Sequence, residues 1–346
     1  MTFIPEDEHM TARKIFTLGC GAALTALFIA GSAQAHDPKG KGGLPMIYQK
    51  RVMAGMKGLE KMDGSDQAKG MYSRLVQWPP SFGKLRVCFM GGNPATNDKV
   101  AAIGRKWSED DGMGMKVDFG KPGKPRACDA GGRESQIRVS YDKPGYWSQL
   151  GQNSVVYTAQ EEPSLNLQDF DKADPSVLDN PEATGIILHE FGHALGLLHE
   201  HQSPVSTCGN EFNWDFITKY LSGPPNNWDE ETIKFNMAPF SGEDLMMTDF
   251  DSQSVMLYSF PAEYYVNGDK SKCFIPASNT TISGTDRTTI NYMYPVDASA
   301  RVKNFEQSKA QFAEIMMKAE SAGTKSVGLD YEDAYFGAKG VAAGEE

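Results

Sequence analysis

The run His189-Glu190-Phe191-Gly192-His193-Ala194-Leu195-Gly196-Leu197-Leu198-His199 constrains this 346-residue chain more than any other stretch. It has the pattern H-E-x-x-H-x-x-G-x-x-H. On a helix the first two histidines stand one turn apart and project from the same face. Two neutral imidazoles so placed can hold one Zn2+ at about 2.0–2.1 Å each, with Glu190 in reach of a water on the metal. Gly196 predicts the end of the helix, because a residue without Cβ takes positive φ freely. The chain can then turn and bring back His199 as a third ligand. Three protein ligands and one open position describe a catalytic zinc site, not a closed structural one. The competing reading is a buried helix whose histidines are merely hydrogen-bonded. Four of the six histidines fall within residues 189–201, and five fixed positions arise by chance far more rarely than a bare H-E-x-x-H.

Asp179-Asn180-Pro181-Glu182 predicts the start of that helix, with Asp or Asn as N-cap, Pro at the first helical position and Glu in the first turn. Ile186, Ile187, Leu188, Phe191, Ala194 and Leu195 give it enough apolar surface to be buried as the floor of a cleft.

Downstream, Ser254-Val255-Met256-Leu257-Tyr258 reads S-x-M-x-Y. Together the two motifs resemble a metzincin metalloprotease. The resemblance implies an α+β fold. A twisted, mostly parallel sheet with helices would form the N-terminal subdomain, facing a smaller, irregular C-terminal subdomain across a cleft. It also implies roles. Met256 would be the apolar base beneath the histidines. Tyr258 would be a movable fifth ligand that hydrogen-bonds a developing oxyanion, as in the astacin and serralysin branches. Glu200, directly after the third histidine, resembles the astacin glutamate that is buried and pairs with the mature N-terminus, so it would tie the cleft floor to another segment. Leu197 stands where astacins usually carry Phe, and Leu257 where they carry His. The Gly/Asp-rich repeats of serralysins are absent. The chain is therefore read as astacin-like, with its exact branch open.

The looser resemblance extends over residues 80–295. Residues 85–90 predict a first strand, 97–109 a helix, and 137–141 and 154–159 further strands. Residues 163–167 resemble the edge strand above the cleft, which in metzincins pairs with an extended peptide. Residues 285–295 predict a closing helix stopped by Pro295.

The N-terminus carries an export signature. Arg13 and Lys14 precede an apolar stretch at 15–30, and Ala33-Gln34-Ala35 offers a cleavage site after Ala35. The stretch is short for a membrane span. Met10 is an alternative start, and Cys20 sits in a poor lipobox. Residues 1–35 are thus read as a signal peptide, and 36–80 as a leader or pro-segment. The catalytic domain is assigned to 81–296, and 297–346 to an amphipathic helix (Val302, Phe305, Phe312, Met316, Ala319) with a loose acidic tail.

Of five cysteines, the four beyond the signal suggest two disulfides in an exported chain. Of three connectivities, Cys88–Cys128 with Cys208–Cys273 is preferred, because each pair lies on one side of the zinc helix. With 34 basic against 45 acidic residues and net charge −11, the balance argues against nucleic acid or an anionic membrane as partner.

The expected protein is a secreted or periplasmic zinc endopeptidase, monomeric, with a protein or peptide substrate and no membrane span after signal cleavage. One catalytic Zn2+ is held by His189, His193 and His199. Glu190 is the general base, Tyr258 the oxyanion donor, and Gly196, Glu200 and Met256 the structural support. Two other readings stand beside it: a protease homologue that holds zinc and binds without cutting, and a zinc hydrolase of non-peptide amides.

Overall fold

Residues 84–89 carry apolar side chains on both faces, as a central parallel strand requires. In the computed structural model they form β1 (Lys84–Phe89), with Leu85, Val87, Cys88 and Phe89 all buried. The structure describes residues 72–307 apart from 74–75, 81, 110, 129–134, 157, 225, 241–244 and 247–248. The signal peptide, most of the leader, and Phe312, Met316 and Ala319 lie outside the described residues.

With β2 (Lys116–Asp118), β3 (Ile137–Ser140), β4 (Tyr146–Ser148) and β5 (Leu165–Leu167), β1 builds a five-stranded sheet in the order β2-β1-β3-β5-β4. All neighbours are parallel except β4, which runs antiparallel to β5. This is the mostly parallel sheet expected, but two assignments within it change. Residues 163–167 do not supply the edge: β5 lies between β3 and β4, and the edge strand is β4. All three residues of β5 are buried, and the Asn166 amide donates to the Lys143 and Gly145 carbonyls, fixing the turn that delivers β4. Residues 154–159 are not a strand either. Asn153–Val156 is a single helical turn, where Asn153 and Val155 amides donate to the Leu150 and Gln152 carbonyls. Two adjacent valines raise strand propensity, but local hydrogen bonds decide the turn.

Helix α1 (Pro94–Arg105) starts three residues earlier than expected, because Asn93 caps it by accepting from the Thr96 amide, with Pro94 at the first position. A 3-10 turn, Lys106–Ser108, follows it and buries Trp107, whose indole donates to the Leu188 carbonyl of α2 (Pro181–Ala194). Helices α1 and α2 share the main apolar core with the sheet, and Phe119 meets Phe191 edge-on at 5.2 Å. A second, largely aromatic core forms the irregular C-terminal part. It gathers Phe212, Phe260, Tyr264 and Tyr265 with α3 (Trp214–Ser222) and α4 (Glu230–Met237). Helix α5 (Gly284–Met293) returns to the first core. Its capping box joins Ser283 and Asp286, and Ile290, Met293 and Tyr294 are buried. Both preferred disulfides are present, Cys88–Cys128 and Cys208–Cys273. Loop entropy gives each about 4 kcal/mol of stabilisation.

Residues 76–80 pack as part of this unit. Trp78 is buried, and its indole donates to the Ala194 carbonyl, while Tyr294 donates its hydroxyl proton to the Leu195 carbonyl. Two otherwise unpaired carbonyls at the end of α2 are thereby satisfied. Gln77 donates to the Met293 carbonyl, and the Val76 carbonyl accepts from Gln152. Further upstream, Tyr72–Ser73 pairs antiparallel with Leu245–Met246. Trp78→Ala is expected to cost about 3–5 kcal/mol, read as a lower urea midpoint. An unchanged midpoint would remove this segment from the folded unit. Beyond α5, Asn304 donates to the Tyr292 carbonyl, whereas Val302, assigned to an apolar stripe, is exposed.

Candidate metal centre

Helix α2 begins at Asn180, whose side chain accepts from the Glu182 amide, and ends as the glycine predicts. Gly196 has φ +102°, the Leu197 amide donates to the Gly192 carbonyl, and the Gly196 amide donates to the His193 carbonyl. This paired pattern is a Schellman motif. It reverses the chain so that His199 folds back over His189 and His193.

The three imidazoles converge. His193 Nε2 lies 3.0 Å from His189 Nε2 and 3.0 Å from His199 Nε2. The edge of a tetrahedron with ~2.0–2.1 Å arms is about 3.3 Å, so the spacing suits a common ion. Each opposite nitrogen is anchored: His189 Nδ1 to the Val255 carbonyl at 2.8 Å, His193 Nδ1 to the Leu197 carbonyl at 2.8 Å, and His199 Nδ1 to Gln202 Oε1 at 3.0 Å. Carbonyls only accept, so the proton of His189 and of His193 sits on Nδ1 and the Nε2 lone pairs face inward. All three rings are buried. Burial holds His189 down at about 4, against the opposing pull of the Val255 carbonyl, and so keeps it neutral as a ligand must be. The residues fit one zinc ion, and no other cluster of three such donors occurs among the described residues.

Met256 lies against Gly192. A Cβ there would overlap the Met256 sulfur and crowd Trp107, whose indole is pinned to Leu188. Helix propensity favours Gly192→Ala by about 1 kcal/mol, while overpacking costs about 1–3 kcal/mol. A net loss of up to about 2 kcal/mol in chemical denaturation is expected. Stabilisation would mean that Met256 moves freely.

The methionine turn is held from a distance. Asp286 accepts from Ser254 Oγ at 2.6 Å and from the Val255 amide at 2.9 Å, and Ser254 Oγ accepts from the Met256 amide. The carbonyl of the same residue, Val255, anchors His189. Asp286 was legible only as part of a helix start. Nothing in its local pattern links it to a turn some thirty residues upstream. Glu200 is buried and accepts from the Asp251 amide at 2.9 Å, joining the turn after the third histidine to the segment that enters the methionine turn. Burial, with Asp286 and Asp251 nearby, raises it to about 8.

Glu190 is buried, and its Oε2 has no hydrogen-bond partner; burial pushes its carboxyl well above the usual range. The Tyr258 hydroxyl is likewise without a partner, with its ring 4.8 Å from His189 and 4.4 Å from His199. Burial, then the Glu190 charge, raises its phenol. Among the described residues, neither of these two polar atoms has a hydrogen-bond partner. Sequence reasoning passed over Gln202 and His201. The only available signal was their place just after the third histidine.

A helix ended by glycine so that a third histidine folds over the first two, with a methionine turn packed against that helix, is the layout that metzincin zinc proteases share. Residues 171–294 match the family Astacin (Peptidase family M12A). A solved structure of myroilysin is 27% identical at a TM-score of 0.53, covering 65% of this chain and 98% of that one. A second myroilysin crystal structure is 28% identical (TM-score 0.44, 71% and 96% covered). The medaka fish (Oryzias latipes) hatching enzyme HCE-1, a zinc protease, is 17% identical (TM-score 0.37, 69% and 98% covered). No curated protein matches. The chain is an astacin-like zinc metalloendopeptidase, and His189, His193 and His199 are positioned for its one zinc ion.

Proposed function

We propose that the chain is a secreted or periplasmic, monomeric endopeptidase that cuts extended polypeptides, with Glu190 as general base. The observation that carries this reading is the convergence of three anchored imidazoles beside two unpartnered polar atoms. Zinc, when bound, lowers the pKa of a water and polarises a carbonyl. Glu190 takes the proton of the attacking water through its free Oε2 and passes it to the leaving amine nitrogen. Tyr258 donates its hydroxyl hydrogen bond to the oxygen on which negative charge develops. An extended substrate adds as a strand to the outer edge of β4 (Tyr146–Ser148), taking main-chain hydrogen bonds there. Two disulfides suit an oxidising compartment. No described helix is long and apolar enough to cross a membrane.

The test is digestion of an unfolded protein such as casein by the purified chain, with and without a zinc chelator, beside metal analysis. Cleavage that stops with the chelator, at one zinc per chain, is expected. Bound zinc with no cleavage of any unfolded protein would favour the reading in which the chain binds without cutting.

A further inference from the structure

The three zinc ligands are not held alike. His189 and His193 lean on main-chain carbonyls, whereas His199 leans on a side chain, the Gln202 amide. The far end of that amide decides how it points. Gln202 Nε2 donates to the Ala238 carbonyl at 3.1 Å, and a carbonyl can only accept. Oε1 therefore faces the imidazole, Nδ1 of His199 carries the proton, and the Nε2 lone pair turns toward the other two ligands. Gln202 is 1% exposed, and its own carbonyl accepts from the Phe240 amide at 2.8 Å. The neighbouring His201 donates from Nε2 to the Asn236 carbonyl at 3.0 Å. The last turn of α4 and the residues just after it, 236–240, are thus hung on the two positions that follow Glu200.

We propose that Gln202 is a positioning residue of the zinc site. It sets the tautomer and donor strength of His199 and ties residues 238–240 to the metal centre. His199 needs this more than its partners do. It stands beyond the end of α2, where no helical backbone orients the ring, and an imidazole without an Nδ1 acceptor exchanges tautomers and rotates. The inference rests on the assignment of the three histidines as zinc ligands. Loss of an outer partner of this kind weakens metal binding by about 10–100-fold.

The test compares Gln202→Met with Gln202→Glu in the full chain. Zinc affinity is measured by competition with a chromophoric chelator, and ligand geometry by the visible spectrum of the cobalt-substituted protein. Both variants lose the donor to Ala238, and only Glu keeps an acceptor for His199. We expect Met to bind zinc about 10–100-fold more weakly with an altered cobalt spectrum. Glu should bind at least as tightly as the natural chain, with a near-natural spectrum. Equal weakening in both variants would reduce Gln202 to a packing role and overturn the proposal, as would natural affinity in the Met variant. Should Met fail to fold, weakened zinc binding in the Glu variant alone overturns it. Absence of zinc from the natural chain would instead strike the metal-site assignment beneath it.

Discussion

Glu190→Gln is expected to keep one zinc per chain and to lose about 10²–10⁴-fold in kcat. The substitution is nearly isosteric and leaves the three imidazoles and their Nδ1 anchors untouched. It changes one property: an amide cannot take a proton from water and return it to an amine. Because Glu190 is 2% exposed and its Oε2 is unpartnered, the fold loses no hydrogen bond at that atom, and the melting temperature should not fall. Single-turnover cleavage of a peptide, with zinc content measured on the same sample, checks both halves. Wild-type turnover would remove Glu190 from the general-base role. Zinc loss would make it part of the binding site.

The second large effect is metal removal, by chelation or by His193→Ala. His193 is the central ligand, 3.0 Å from each neighbour's Nε2 and anchored to Leu197. Its loss leaves two buried imidazoles that cannot hold the ion in a three-ligand geometry. Hydrolysis should vanish in both cases. Chelation should also lower the melting temperature, because an ion that binds only the folded chain stabilises it by about 4 kcal/mol at a thousandfold excess over Kd. At about 2–4 °C per kcal/mol for a domain of this size, calorimetry would read a drop of roughly 8–16 °C, reversed by added zinc. A chelated chain that melts and cleaves like the untreated one would overturn the zinc assignment.

The zinc motif was legible in the sequence because its geometry is local. The i, i+4 spacing of His189 and His193, the Asn180-Pro181 start and the positive φ of Gly196 each follow from backbone rules acting over a few residues. The methionine turn and the two disulfide pairs were also legible, the first through resemblance, the second through their placement on either side of α2. The edge of the sheet was not. Strands of three residues, such as β4 and β5, are too short to show a period, so only pairing decides which of them lies outermost.

The same distinction separates the ligands from their supports. Which side chains are positioned to hold zinc was determined by the sequence itself, since one helix and one turn bring them together. What holds those side chains in register was decided by tertiary structure alone. Asp286 reaches the Val255 amide across 31 positions, Gln202 the Ala238 carbonyl across 36, and Trp78 the Ala194 carbonyl across 116. Such partners leave no local pattern, because a buried donor or acceptor needs only that some complementary group arrive when the chain packs.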